Sequence, residues 1–146
     1  MRKLLIALTL LLALAIPSIA NQGHRVHGLS RETRCLADNI YFESRGESFK
    51  GKLAVAMVTL NRTKMEQYPS TICGVVYQKN QFSWTNKRSK ITDWTDYTDS
   101  LLAATMAMED SKILGSFKAT HYHNTTVAPA WGLHKVAKIG KHIFYS

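Results

Sequence analysis

The segment from Leu53 to Leu60 constrains the fold most. Leu53, Ala54, Ala56, Met57, Val58 and Leu60 make it apolar nearly all the way round. A helix without a polar face has to be surrounded by other elements, so this one belongs at the centre of a domain. Ser48 is a suitable N-cap for it, and Tyr68-Pro69-Ser70 breaks the chain after it. A helix also precedes it. Ser30 is the N-cap there, Glu32 lies in the first turn, and Leu36, Ile40 and Phe42 fall near one face, with Gly46 as the stop.

The two helices meet at Asn39-Ile-Tyr-Phe-Glu43-Ser-Arg-Gly-Glu47. Two carboxylates stand four residues apart here, around Arg45 and Gly46. A carboxyl at the end of an apolar helix, beside Tyr41 and Phe42, is where burial raises a pKa. A general acid needs that, because it must hold its proton near neutral pH. The structural alternative is that Glu43 and Glu47 form ion pairs with Arg45 around a helix end.

After Pro69, Ser70 or Thr71 caps a short helix through Ile72, Val75 and Val76. Gln78 to Thr85 is a polar-aromatic loop of the kind that suits sugars, although Phe82 and Trp84 serve equally well as core anchors. A further helix is expected to start at Asp99 and end at Gly115. Its Met106 and Met108 read as core filling. The last third alternates. Phe117 to His123 reads as one strand and Lys138 to Tyr145 as a second, with a turn-rich loop holding Pro129 and Trp131 between them. Helices followed by a small antiparallel sheet make an α+β class.

Met1-Arg2-Lys3, the apolar run Leu4 to Ile16 and small residues at 18 and 20 form a leader pattern. The expected organisation is a signal peptide at 1–20, a flexible lead-in at 21–29 and one domain at 30–146. An uncleaved leader would be a membrane anchor. The whole chain has 19 basic and 10 acidic residues. Loss of Arg2 and Lys3 with the leader still leaves a net charge of +7. That balance favours an anionic partner, and export argues against nucleic acid. Cys35 and Cys73 can pair in an oxidising compartment; two free buried thiols are the alternative. Nothing in the residues speaks to oligomeric state, so monomer is the default.

Five collinear stretches carry a family resemblance. They are Cys35-Leu-Ala-x-Asn39-Ile-Tyr-Phe-Glu43-x-Arg45-Gly-Glu47 with Gly51-x-Leu-Ala-Val-Ala and Leu60-Asn-Arg62; Thr71 to Gln78; Gln81-Phe-Ser-Trp84; Ala119-Thr-His-Tyr-His123; and Ile139 to Tyr145. From about Cys35 to its end the chain resembles the SleB-type, spore-cortex-lytic-like cell wall hydrolases. The resemblance implies a helical core like that of lysozymes and lytic transglycosylases. It also implies cleavage of the β-1,4 bond between N-acetylmuramic acid and N-acetylglucosamine, with peptidoglycan glycan strands as partner. Glu43 then corresponds to the catalytic glutamate that ends the first core helix, with Glu47 as reserve or orienting residue. Gln81, Phe82, Ser83 and Trp84 are implied for the substrate groove.

On a strand, His121 and His123 share one face and Tyr122 the other, so these three are also substrate-binding candidates. A zinc site would need a third ligand with sensible spacing, which is missing; His142 is the only possibility. No metal or cofactor is therefore expected. Two rival functions stay open: a zinc-dependent amidase or peptidase acting on the stem peptide, and an exported wall-binding protein without chemistry.

Overall fold

The computed structural model describes residues 28–87 and 89–146. The leader and most of the lead-in lie outside these residues. Four α-helices come first: α1 (Arg31–Glu43), α2 (Phe49–Arg62), α3 (Ile72–Val76) and α4 (Trp94–Glu109). A 3-10 turn, Ser83–Asn86, lies between α3 and α4. Three strands follow: β1 (His121–Asn124), β2 (Lys135–Ile139) and β3 (His142–Tyr145). They form one antiparallel sheet in the order β1-β3-β2. This is the expected α+β arrangement.

Local chemistry sets the helix starts. The hydroxyls of Ser30, Ser48 and Thr71 accept from the amides of Thr33, Gly51 and Gly74 at 3.0, 3.2 and 3.0 Å. Each satisfies one of the amides that a helix start leaves open. α2 lies at the centre, as its composition requires: Ala54, Val55, Ala56 and Val58 are wholly buried. Burying a side chain such as Val55 contributes roughly 2 kcal/mol. α2 also buries a charge. Lys52 is 2% exposed and meets the Asp96 carboxylate of α4 at 2.8 Å.

Cys35 of α1 and Cys73 of α3 form a disulfide, with Cα atoms 5.3 Å apart. It clamps the two helices beside the main core cluster, to which Cys35, Leu36, Ile40, Met57 and Ile72 contribute. A smaller cluster joins Ala54 and Val58 of α2 to Ala119 and Phe144 and so docks the sheet on the helices.

Four boundaries differ from the sequence reading. The strand expected over Phe117 to His123 runs His121–Asn124 instead, because the carbonyls of Phe117 and Ala119 accept from the Asn61 side-chain amide of α2, at 3.0 and 2.9 Å, and not from a neighbouring strand. α4 starts at Trp94, not near Asp99, because Asp93 supplies the cap: its Oδ1 accepts from the Asp96 amide at 3.0 Å. The same helix ends at Glu109, well before Gly115. There Asp110 leaves helical geometry, and its carboxylate accepts from the Lys112 amide at 2.8 Å. Such an Asx turn competes with helix continuation. The expected last strand is a hairpin, β2 and β3, which turns at Gly140-Lys141. Gly140 has φ +56°, a left-handed conformation that glycine adopts without steric cost. α1 stops at Glu43, capped by Ser44, and Gly46 (φ +71°) sits in the turn that follows.

Candidate active site

The end of α1 sets the position of Glu43. At Ser44 the hydroxyl donates back to the Ile40 carbonyl at 2.5 Å, and the backbone amide donates to the same oxygen at 2.9 Å. The last helical side chain is thereby held against the sheet. Tyr122 of β1 meets it there: its hydroxyl donates to Glu43 Oε2 at 3.0 Å. A cavity of about 210 Å³ opens beside this pair, lined by Glu43, Arg62, Gln81, Phe82, His121, Tyr122 and Trp131.

Burial raises the Glu43 pKa above the ordinary carboxylate value. The Tyr122 hydrogen bond and the Arg62 charge oppose that rise without cancelling it. Tyr122 is pushed well above its usual value, first by burial and then by the Glu43 charge and hydrogen bond. It therefore stays a neutral donor. Burial, followed by the charge of Arg62, lowers His121 and favours a neutral imidazole. That ring lies 3.0 Å from the Thr120 hydroxyl through Nδ1 and 3.5 Å from the Tyr68 hydroxyl through Nε2.

Glu47 has a different setting. It does not line the cavity. Both of its carboxylate oxygens accept from the Lys141 amide, at 3.3 Å each, across the β2–β3 turn. A Cβ added to Gly140 would come within 1.8 Å of Glu47 Oε2, so carboxylate and turn fit only because residue 140 is glycine. The ion pairs with Arg45 are not formed among the described residues. Arg45 instead lies over the Tyr41 ring, 5.2 Å from its centroid.

Four of the expected substrate-binding residues meet at the cavity: Gln81, Phe82, His121 and Tyr122. Three do not line it. Ser83 is exposed in the 3-10 turn. Trp84 anchors that turn: it stacks on Phe42 with ring centroids 4.6 Å apart, and its indole N–H donates to Asn39 Oδ1 at 3.1 Å. His123 does share a face with His121, since both rings lie against Trp131, at 5.5 and 5.7 Å. Its nitrogens are already engaged. Nδ1 lies 2.8 Å from the Asn124 carbonyl, which can only accept, so Nε2 accepts from the Tyr145 hydroxyl at 3.0 Å. Among the described residues, no group of three or more His, Cys, Asp or Glu is arranged to hold a metal ion.

Arg62 and Trp131, which are not among the expected site residues, complete the lining. Arg62 stood in the Leu60-Asn-Arg62 motif, and an arginine closing an all-apolar helix is a signal that could have singled it out. Trp131 stood in the loop between the strands.

Residues 46–145 match the family model described as Cell Wall Hydrolase. The chain belongs to that family. The matched region starts just after Glu43. A spore cortex-lytic enzyme of Bacillus subtilis (strain 168) is 32% identical over 121 residues, covering 79% of this chain and 37% of the relative. The spore cortex-lytic enzyme of Bacillus cereus is 33% identical over 132 residues, covering 85% of this chain and 48% of the relative. The chain thus spans less than half the length of these two curated relatives. Two solved structures share its fold. The catalytic domain of the Bacillus cereus SleB protein has a TM-score of 0.61 at 30% identity and is 99% covered, against 85% of this chain. The catalytic domain of the germination-specific lytic transglycosylase SleB from Bacillus anthracis has a TM-score of 0.65 at 29% identity and is 98% covered, against 82% of this chain.

Proposed function

We propose that this protein is an exported peptidoglycan-degrading enzyme that cleaves the β-1,4 bond between N-acetylmuramic acid and N-acetylglucosamine as a lytic transglycosylase, with Glu43 as its acid/base. One observation carries the reading: a single carboxyl, its pKa raised by burial and its Oε2 held by Tyr122, faces a cavity with aromatic residues in its lining. Membership of the Cell Wall Hydrolase family and likeness to a lytic transglycosylase domain support it.

One such group suffices. Protonated Glu43 gives its proton to the glycosidic oxygen as the C1–O bond breaks, freeing the 4-hydroxyl of the leaving sugar. The carboxylate then takes the proton of the muramic 6-hydroxyl, whose oxygen bonds to C1 and closes a 1,6-anhydro ring. Protons and bonds balance, and Glu43 returns protonated. Tyr122 holds Oε2 throughout and steadies the charged intermediate state of the carboxyl. Trp131 offers flat apolar surface to a sugar face, while the buried Phe82 backs the cavity beside Arg62. Glycosidases that add water use two carboxyl groups about the scissile bond, and here the cavity is lined by Glu43 alone of the pair. Residues 1–20 act in this reading as the export leader, and the positive charge draws the protein to an anionic wall.

Mass analysis of the soluble products from purified peptidoglycan tests the reading. Muropeptides ending in anhydro-muramic acid are expected. Reducing-end muropeptides would replace the transglycosylase with a hydrolase, and free stem peptides would overturn glycan cleavage.

A further inference from the structure

Arg62 lines the cavity and has no task in this chemistry, and it is built in rather than draped over the surface. It is 4% exposed. Its Nε donates to the Thr120 carbonyl at 2.7 Å. The guanidinium carbon sits 5.3 Å from the Tyr68 ring centroid and 5.6 Å from that of Phe82, so aromatic rings hold the plane. Nη1 is buried and has no hydrogen-bond partner. Nor is the charge used in a salt bridge with Glu43: among the described residues the only ion pair is Lys52–Asp96.

A buried donor without a partner costs about 1–3 kcal/mol, more when it is charged, so such a group points to a ligand that completes it. A guanidinium has five N–H donors and no acceptor, and it keeps its proton. Its partner must therefore be an acceptor. On a glycan of N-acetylated sugars, the strongest neutral acceptor with no hydrogen of its own is the acyl oxygen. An acetamido group also carries a methyl beside that oxygen, and Phe82 and Trp131 line the same cavity with apolar surface.

We propose that Arg62 is a specificity-determining residue that binds the acetamido oxygen of the sugar seated beside Glu43. The inference rests on the glycan reading above, and it makes N-acetylation a condition of productive binding. The test compares N-acetylated with de-N-acetylated peptidoglycan in the wild type, Arg62→Lys and Arg62→Met. A hydrogen bond to a charged donor predicts that de-N-acetylation lowers kcat/KM in the wild type by about ten- to a hundredfold. In Arg62→Met the same change of substrate should cost less than about threefold. Equal factors in both proteins overturn the assignment, as does a wild type indifferent to N-acetylation; the latter would also result if Arg62 held the lactyl carbonyl instead. Arg62→Lys keeps the charge but loses the planar fork. Full discrimination in that variant overturns the hydrogen bond in favour of simple charge repulsion of the new amine. Each factor is a ratio within one folded protein, so a loss of stability cancels. Affinities measured with the Glu43→Gln protein give the same ratios without turnover, so absence of glycan cleavage would refute the enzyme reading while leaving this one testable.

Discussion

Glu43 and Glu47 stand four residues apart in one motif, and the fold treats them in opposite ways. Glu43 ends α1 and lines a cavity, where burial raises its pKa and Tyr122 is its hydrogen-bond partner. Glu47 lies in the turn before α2 and clasps the hairpin at Gly140 and Lys141. In the proposed mechanism one carboxyl transfers the proton; the other fastens the β2–β3 turn to the end of α1. The two are linked. The hairpin that Glu47 holds carries His142, whose ring packs 5.2 Å from Tyr122, and Tyr122 in turn holds Glu43. The difference is completed by what each side chain meets across the sequence: Tyr122 for Glu43, the Gly140–Lys141 turn for Glu47.

The comparison can be broken from several sides. Reducing the Cys35–Cys73 bridge should act most strongly, since it anchors α1, the helix that presents Glu43. A loss of about 3–4 kcal/mol is expected from the chain-entropy model, which lowers Tm by roughly 10 °C at this size. An unchanged melting curve in reductant would remove the bridge from the account. Gly140→Ala attacks the Glu47 side. It forces a left-handed alanine against the carboxylate and should cost about 1–3 kcal/mol in thermal or urea melts. Wild-type stability would show that the clasp yields freely.

Tyr122→Phe is a smaller perturbation with a directional signature. The hydroxyl donates to the carboxylate and so lowers the Glu43 pKa; its removal raises that pKa further. The general acid is then protonated to higher pH, and the alkaline limb of the pH–rate profile should move upward even as the maximal rate falls about tenfold. A limb that stays put or moves down would separate Tyr122 from the titrating group. The same burial has a sign for stability. A carboxyl whose pKa is higher folded than unfolded contributes stability below its unfolded pKa, and loses it as pH rises through the folded one. Glu43→Gln should remove that part of the pH dependence, which melts across the range from about pH 4 upward would register. The smallest effect is expected from salt. Raising ionic strength should weaken binding to intact sacculi if the net positive charge steers the protein there. Salt-independent binding would shift the credit to the exposed ring of Trp131.

Much of the helical part was legible in the residues. The all-apolar segment from Leu53 had to be central, and Ser30, Ser48 and Thr71 are caps whose chemistry is local. The carboxyl beside Tyr41 and Phe42 was legible as a candidate acid for the same reason: burial follows from where an apolar helix ends. What escaped depends on distant partners. Asp93 and Asp99 are both plausible caps, and only packing of α4 on α1 and α2 chooses between them. The hairpin turn at Gly140 was hidden because its register is tied to Glu47, 93 residues earlier. Arg62 and Trp131 reach the cavity only after the sheet has docked through Phe144 on Ala54 and Val58. Trp84, placed by its motif among the groove residues, instead holds the loop through Phe42 and Asn39.

The most direct test sets Glu43→Gln beside Glu47→Gln and measures, for each, the initial rate of muropeptide release and the melting temperature. The account predicts a crossing. Glu43→Gln should lose about a thousandfold in rate, within the usual range for a general acid/base, and keep or gain stability. Glu47→Gln should keep most of its rate and lose about 1 kcal/mol of stability, the worth of an ordinary hydrogen bond. If Glu47→Gln loses its rate while melting like the wild type, the division of labour between the two carboxylates is wrong.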